Sequence, residues 1–305
     1  MNASTLALRS DPFDRALDYY ARHSPFSDPG RHARLLDALP TDPAGVARAI
    51  QGLVIYEHVA GPFYSCPLPD ARRAESHIRP VEKMIDAILA LDDRPLDQPR
   101  PPEKRLVGIC RHFTLLAVAI FRHHGAPARA RVGFGGYFNP GKYEDHWVCE
   151  YWNAEQGRWA LLDVQFDEIF TRKLALRHDP LDTPRDQFLV AADAWRKCRG
   201  ELDPNAFGIE FSKLRGLWFV AGNLIGDLAA LNGAEVLPWD VWGAKPPPGE
   251  LAADQLAYFD ELAELTADPD AKFDAVSRRY NSDPSLRLTE QVFNALRQRR
   301  EAVFS

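Results

Sequence analysis

Apolar residues recur at helical spacing through the first hundred positions, in short stretches broken by turns. Residues 13–23 are amphipathic and follow Ser10-Asp11-Pro12, a helix start. Residues 43–58 open on Pro43 with Asp42 as N-cap. In residues 80–91, Val81, Ile85, Ile88 and Leu89 define one apolar face. The segment 92–105 is rich in proline and charge, which excludes a helix or a central strand and predicts a surface connection. Residues 111–124 come next, almost wholly apolar from Phe113 to Phe121. They predict a helix buried on most sides and stopped by Gly125 and Ala126-Pro127.

The period then changes. Residues 128–138 and 145–152 alternate, 159–166 are mainly apolar, and all three carry valine and aromatic residues, so strands are predicted. Helical spacing returns from about 167, with helices expected over 186–197, 212–231, 252–265 and 288–302 and a stiff break at Pro246-Pro247-Pro248-Gly249. A first unit over 1–170 and a mostly helical extension over 171–305 are therefore expected.

Composition narrows the classes. The chain has 305 residues, 46% hydrophobic and 26% charged, as in a globular domain with a real core. A net charge of −6 without a Lys/Arg run argues against nucleic acid or an anionic membrane as the main partner. The first twenty residues have neither a basic start nor a sustained apolar stretch, so no secretory signal is read and a cytoplasmic location is expected. Cys66, Cys110, Cys149 and Cys198 are scattered, with no Cys-x-x-Cys, which suits free thiols and no structural zinc. No metal and no cofactor is expected.

Cys110 lies between the proline-rich segment and the buried helix, near its first turn. Exposed amides and the helix dipole favour an anion there, whether a thiolate or a tetrahedral oxyanion. Taken alone, such a cysteine is more often a small buried hydrophobe. Its partners change the balance. If Asn153-Ala154-Glu155-Gln156 is a hairpin loop, Trp152 pairs with Gly157 and His146 faces Asp163, with Cβ atoms about 4.5–5.5 Å apart. The carboxylate would then orient an imidazole able to activate the thiol. Other features have plainer readings: Cys149 as structural, His123-His124 as a solvent-facing helix end, Gly133-Phe134-Gly135-Gly136 as a bulge or turn, Arg129 and Arg131 as surface or structural pairs. The tryptophans at 195, 218, 239 and 242 read as core, with some able to line an acyl pocket.

Gly108 and Cys110, Gly125-Ala126-Pro127-Ala128-Arg129, His146-Trp147-Val148, and Trp159 with Asp163, in that order, resemble the transglutaminase-like superfamily over about 107–166. The resemblance implies an α+β, papain-like core with a catalytic helix packed on an antiparallel sheet, which would occupy 1–170. It implies a catalytic triad of Cys110, His146 and Asp163 that attacks a peptide, amide or thioester, carrier-bound donors included, through a thioester intermediate. The expected enzyme is a cysteine acyltransferase or hydrolase, either a peptidase or amidase or an amide-forming transferase. The alternative is a non-catalytic transglutaminase-like binding module. Two departures stand out: Val164-Gln165 follow the aspartate where many members have Pro-Thr, and no tryptophan precedes Cys110 as oxyanion donor, leaving Tyr64 and Gln98 as substitutes.

Overall fold

The computed structural model describes residues 11–304. The reading of the extreme N-terminus, Ser10 included, lies outside the described residues. Helix α1 (Pro12–Tyr20) starts behind Asp11, whose carboxylate accepts from the Asp14 amide at 2.9 Å. Helix α2 (Pro43–Leu53) starts likewise on Asp42, which accepts from Gly45 at 2.8 Å. It stops five residues short of expectation because β1 (Val54–Tyr56) turns extended. β1 pairs in parallel with β2 (Leu106–Gly108), beyond α3 (Ala60–Tyr64) and α4 (Val81–Leu91). The all-apolar segment is α5 (Cys110–His123), buried from Cys110 through Arg122.

Strands β3 (Ala128–Gly135), β4 (Tyr143–Asn153) and β5 (Arg158–Leu162) follow, then α6 (Glu168–Lys173), β6 (Phe188–Val190), α7 (Ala191–Gly200), β7 (Phe207–Ile209), β8 (Leu214–Arg215) and α8 (Leu217–Leu231). The chain ends with β9 (Asp240–Val241), α9 (Ala253–Thr266), α10 (Phe273–Ser282), β10 (Gln291–Asn294) and β11 (Arg299–Ala302). The fold is α+β: the main sheet runs β6-β3-β4-β7-β8, with β5 also on β4. α5 packs along β4 and β3, where Phe121 stacks on Tyr151 at 4.9 Å, and α7 and α8 pack on β3.

This sheet draws strands from both sides of residue 170. β6 can lie against β3 because Gly133 has no side chain: a Cβ there would meet the Leu189 carbonyl oxygen at 2.1 Å. The helix expected over 288–302 is instead the β10–β11 hairpin. Leu288, Val292 and Leu296 have helical spacing, but Leu296 is 63% exposed at the turn while Val292 is buried. Asn294 Oδ1 accepts from the amides of Leu296 at 3.1 Å and Arg297 at 3.0 Å, which builds the turn, and β9 pairs with the other edge of β10. Among the described residues, no helix is long and apolar enough to cross a membrane.

Candidate active site

Cys110 is the first residue of α5, so its thiol sits where the helix amides are unpaired. Gly108 lets β2 deliver it there, since a Cβ would meet Val54 Cγ1 at 2.9 Å and His112 Cβ at 3.0 Å. The first turn is fixed by His112. Its Nδ1 accepts from the Ile109 amide at 3.2 Å and its Nε2 donates to the Ile78 carbonyl at 3.0 Å, which defines a neutral tautomer. Burial, followed by neighbouring Arg111, holds the His112 pKa well below its usual value. Arg111 is itself buried beside Cys110 and donates to the Glu235 carbonyl at 2.9 Å; burial pulls its pKa down to about 9.

The hairpin carrying His146 has a register two residues away from the expected one. Asn153 pairs with Arg158 and Cys149 with Leu162, so the loop is Ala154-Glu155-Gln156-Gly157 and His146 is not directly opposite Asp163. Strand side chains alternate with period two, so this slip keeps both residues on one face, in diagonal rather than direct relation. The sheet supplies the remaining freedom. On the side of β4 away from β3, β7 pairs only with Tyr143 and Glu144, and β5 only with Cys149 through Asn153. His146 stands in the gap between them. Asp163 has just left β5, its amide donating to the Pro180 carbonyl at 2.8 Å, and its carboxylate reaches back into that gap.

His146 Nε2 donates to Asp163 Oδ2 at 2.8 Å, with both side chains 2% exposed. Cys110 is close enough to the ring to favour its charged form. Burial opposes charge on this ring, but the Asp163 carboxylate, its hydrogen bond and Cys110 outweigh it and raise the pKa to about 10. The structure therefore brings Cys110, His146 and Asp163 together and favours an imidazolium between a carboxylate and a sulfur. Burial pushes the Cys149 thiol well up and the Cys198 thiol to about 12.

Aromatic rings enclose the group. Phe138 lies 5.0 Å from the His146 ring, Phe188 6.3 Å and Tyr137 6.1 Å, and Phe166 packs on Phe138 at 5.7 Å. A surface groove of about 670 Å³ lies elsewhere, between Phe13, Trp152, Trp159 and Arg185.

Two residues at the site were not singled out from sequence. Tyr137 donates to Asp163 Oδ2 at 2.7 Å. Tyr56, opposite Gly108 in the β1–β2 pairing, has its pKa raised well above 10, first by burial and next by Cys110. No pattern marked either one: Tyr137 is in a loop, and a three-residue strand shows no alternation. The suggested oxyanion donors fare differently. Tyr64 donates its hydroxyl to Asp167 at 2.8 Å, and Gln98 is exposed on the proline-rich loop. Trp195 donates to Asp260 at 2.8 Å and Trp242 to the Leu286 carbonyl at 3.0 Å, both in the packing of the C-terminal half.

A thiol at a helix start thus faces a strand-borne imidazole and a carboxylate just past the end of β5. Residues 70–164 match the family model of the transglutaminase-like superfamily. The match holds Cys110, His146 and Asp163 and reaches upstream through α4. A solved structure described as "a Putative Cysteine Protease from Cytophaga hutchinsonii" aligns over 49% of this chain and 42% of its own, at 15% identity and a TM-score of 0.31. No curated protein matches the chain.

Proposed function

We propose that the protein is a cysteine-dependent acyl-transfer enzyme, with Cys110 as nucleophile, His146 as acid–base and Asp163 as the carboxylate that orients it. The observation that carries this reading is the His146 ring held between Asp163 and Cys110 inside the transglutaminase-like segment. An imidazolium beside the sulfur and the unpaired amides of the first turn of α5 both offer positive charge to a reacting anion at this position.

In the reaction, Cys110 Sγ attacks the carbonyl carbon of an amide or thioester. The carbon–sulfur bond to the enzyme forms, the bond to the leaving amine or thiolate breaks, and His146 gives its proton to the departing group. Water or an amine then attacks the acyl-enzyme, His146 takes the acceptor's proton, the carbon–sulfur bond breaks, and the sulfur leaves beside the protonated imidazole, which restores the starting pair. Aromatic enclosure of the imidazole strengthens each of these electrostatic contacts by keeping water out.

Intact-mass spectrometry after incubation with candidate peptide, amide and thioester donors tests the reading. An acyl adduct on the wild-type protein that is absent from Cys110→Ala supports it; adducts from thioesters alone would favour an amide-forming transferase, and from peptides a peptidase. Absence of any Cys110 adduct, together with iodoacetamide alkylation of Cys110 no faster than that of Cys198, would return the chain to the binding-module alternative.

A further inference from the structure

Asp163 is a carboxylate with little of its own to hold it. It lies past the last ladder pair of β5, and the backbone amide of Gln165 reaches its Oδ1 only at 3.3 Å. Its Oδ2 is the oxygen that takes the His146 hydrogen bond, and the same oxygen accepts from Tyr137 Oη at 2.7 Å, slightly shorter than the 2.8 Å imidazole contact. Tyr137 comes from the β3–β4 loop, so it reaches the carboxylate from a different element than either triad strand segment. This loop folds back tightly: a Cβ on Gly135 would meet Phe138 at 2.6 Å and Tyr137 at 2.9 Å. Phe138, next in sequence, covers the imidazole at 5.0 Å. On its far side Tyr137 rests against the His178 ring at 5.0 Å, and the buried Nε2 of that ring has no partner.

We propose that Tyr137 is a positioning residue, whose hydroxyl fixes the Asp163 carboxylate and thereby the azimuth of the His146 ring toward Cys110. The proposal rests on the acyl-transfer reading of this site. Burial and then Asp163 raise the Tyr137 pKa well above 10, so the hydroxyl remains a donor across the working range. The titratable groups around the cluster are Tyr56 from β1, Cys110 from α5, Asp145 and His146 from β4, Asp163 after β5 and His178 from the segment following α6. The β3–β4 loop thus supplies a fourth polar member of the catalytic group and an apolar cover in two consecutive residues.

The test is iodoacetamide alkylation of the full-length protein across pH, read at Cys110 by peptide mass, with Cys198 as internal marker of unfolding. Without the hydroxyl the carboxylate turns and its hold on the imidazolium weakens. Tyr137→Phe is then expected to slow Cys110 alkylation near neutral pH by about tenfold, the size of a lost hydrogen bond to a charged group. The upper step of the pH profile, where the imidazolium gives up its proton, is expected to move to lower pH while Cys198 stays as protected as in the wild type. In an Asp163→Ala background the same substitution should add nothing. An unchanged rate and profile, an upper step that moves to higher pH, or an equal loss in the Asp163→Ala background would each overturn the positioning role. If wild-type Cys110 already reacts no faster than Cys198, the acyl-transfer reading fails as well. A reactive wild type with an unaffected Tyr137→Phe removes the Tyr137 assignment alone.

Discussion

Strand β4 carries two buried ion pairs on one face, four residues apart, and they are built to opposite ends. Glu150 is 0% exposed and surrounded by three guanidiniums: Arg129 at 2.6 Å, Arg131 at 3.1 Å and Arg185 at 2.5 Å. Arg131 is further held by Asp227 at 2.9 Å and Arg129 by Asp270 at 2.5 Å. Burial would raise the Glu150 pKa, yet the arginines push it far below the carboxylate range. His146 has the Asp163 carboxylate at 2.8 Å and Cys110 nearby, and these raise its pKa to about 10 against burial. Equal burial on one strand therefore gives a permanent charge where cations surround an acid, and an exchangeable proton where one acid meets one base.

The largest expected effect lies on the chemical pair. Asp163→Asn keeps the shape of the side chain but removes the charge that orients and sustains the imidazolium. Acyl-adduct formation on Cys110 should fall by roughly 10²–10⁴-fold, measured as the initial rate by intact mass. Glu150→Gln should leave the chemistry of a folded molecule intact and strike stability instead. Two buried guanidiniums would lose their shared counter-charge, at a cost of about 3–5 kcal/mol in urea unfolding. If Glu150→Gln instead slowed Cys110 acylation without changing stability, the division of labour along β4 would be wrong.

Acid and base should also separate the two pairs. The folded pKa of His146 is raised above its ordinary 6.5 to about 10, so its contribution is complete below about pH 6.5 and is lost as pH climbs through about 10. Glu150 is depressed below its ordinary 4.5, so its contribution is complete above about that pH and is lost as pH falls toward its native value. Urea midpoints should show His146→Gln flattening the alkaline decline and Glu150→Gln flattening the acid one. A variant that flattened the opposite limb would contradict the assignment of the two charges.

Much of this arrangement could be read from residues. The apolar run after Cys110 required a buried helix, and the alternation in 128–138 and 145–152 required strands. The hairpin register was read two residues off, and His146 still meets Asp163 because an even slip preserves the face. What could not be read was set by distant chain. β1 and β6 through β9 are two or three residues long, too short for a period to show, and one of them, β7, forms one border of the gap on β4 that β5 closes on the other side. Tyr137 reaches Asp163 only once the β3–β4 loop has folded back. The last hairpin was misread because residues spaced by four also fit two strands about an Asn-centred turn.

The smallest effect is the most discriminating for Glu150, since it asks which of its three cations matter. Arg129 and Arg131 are almost fully buried, whereas the Arg185 side chain is 52% exposed although its contact is the shortest of the three. Distance alone would rank Arg185 first; solvent screening ranks it last, because water already solvates its guanidinium and screens its charge. Arg185→Ala is therefore expected to cost under about 1 kcal/mol in urea unfolding, and less at high salt. Arg131→Ala, which leaves Asp227 and part of Glu150 buried without their cation, should cost several-fold more. Equal losses for the two variants would mean that the Glu150 cluster is held by contact geometry rather than by desolvated charge, and the contrast with His146 would lose its physical basis.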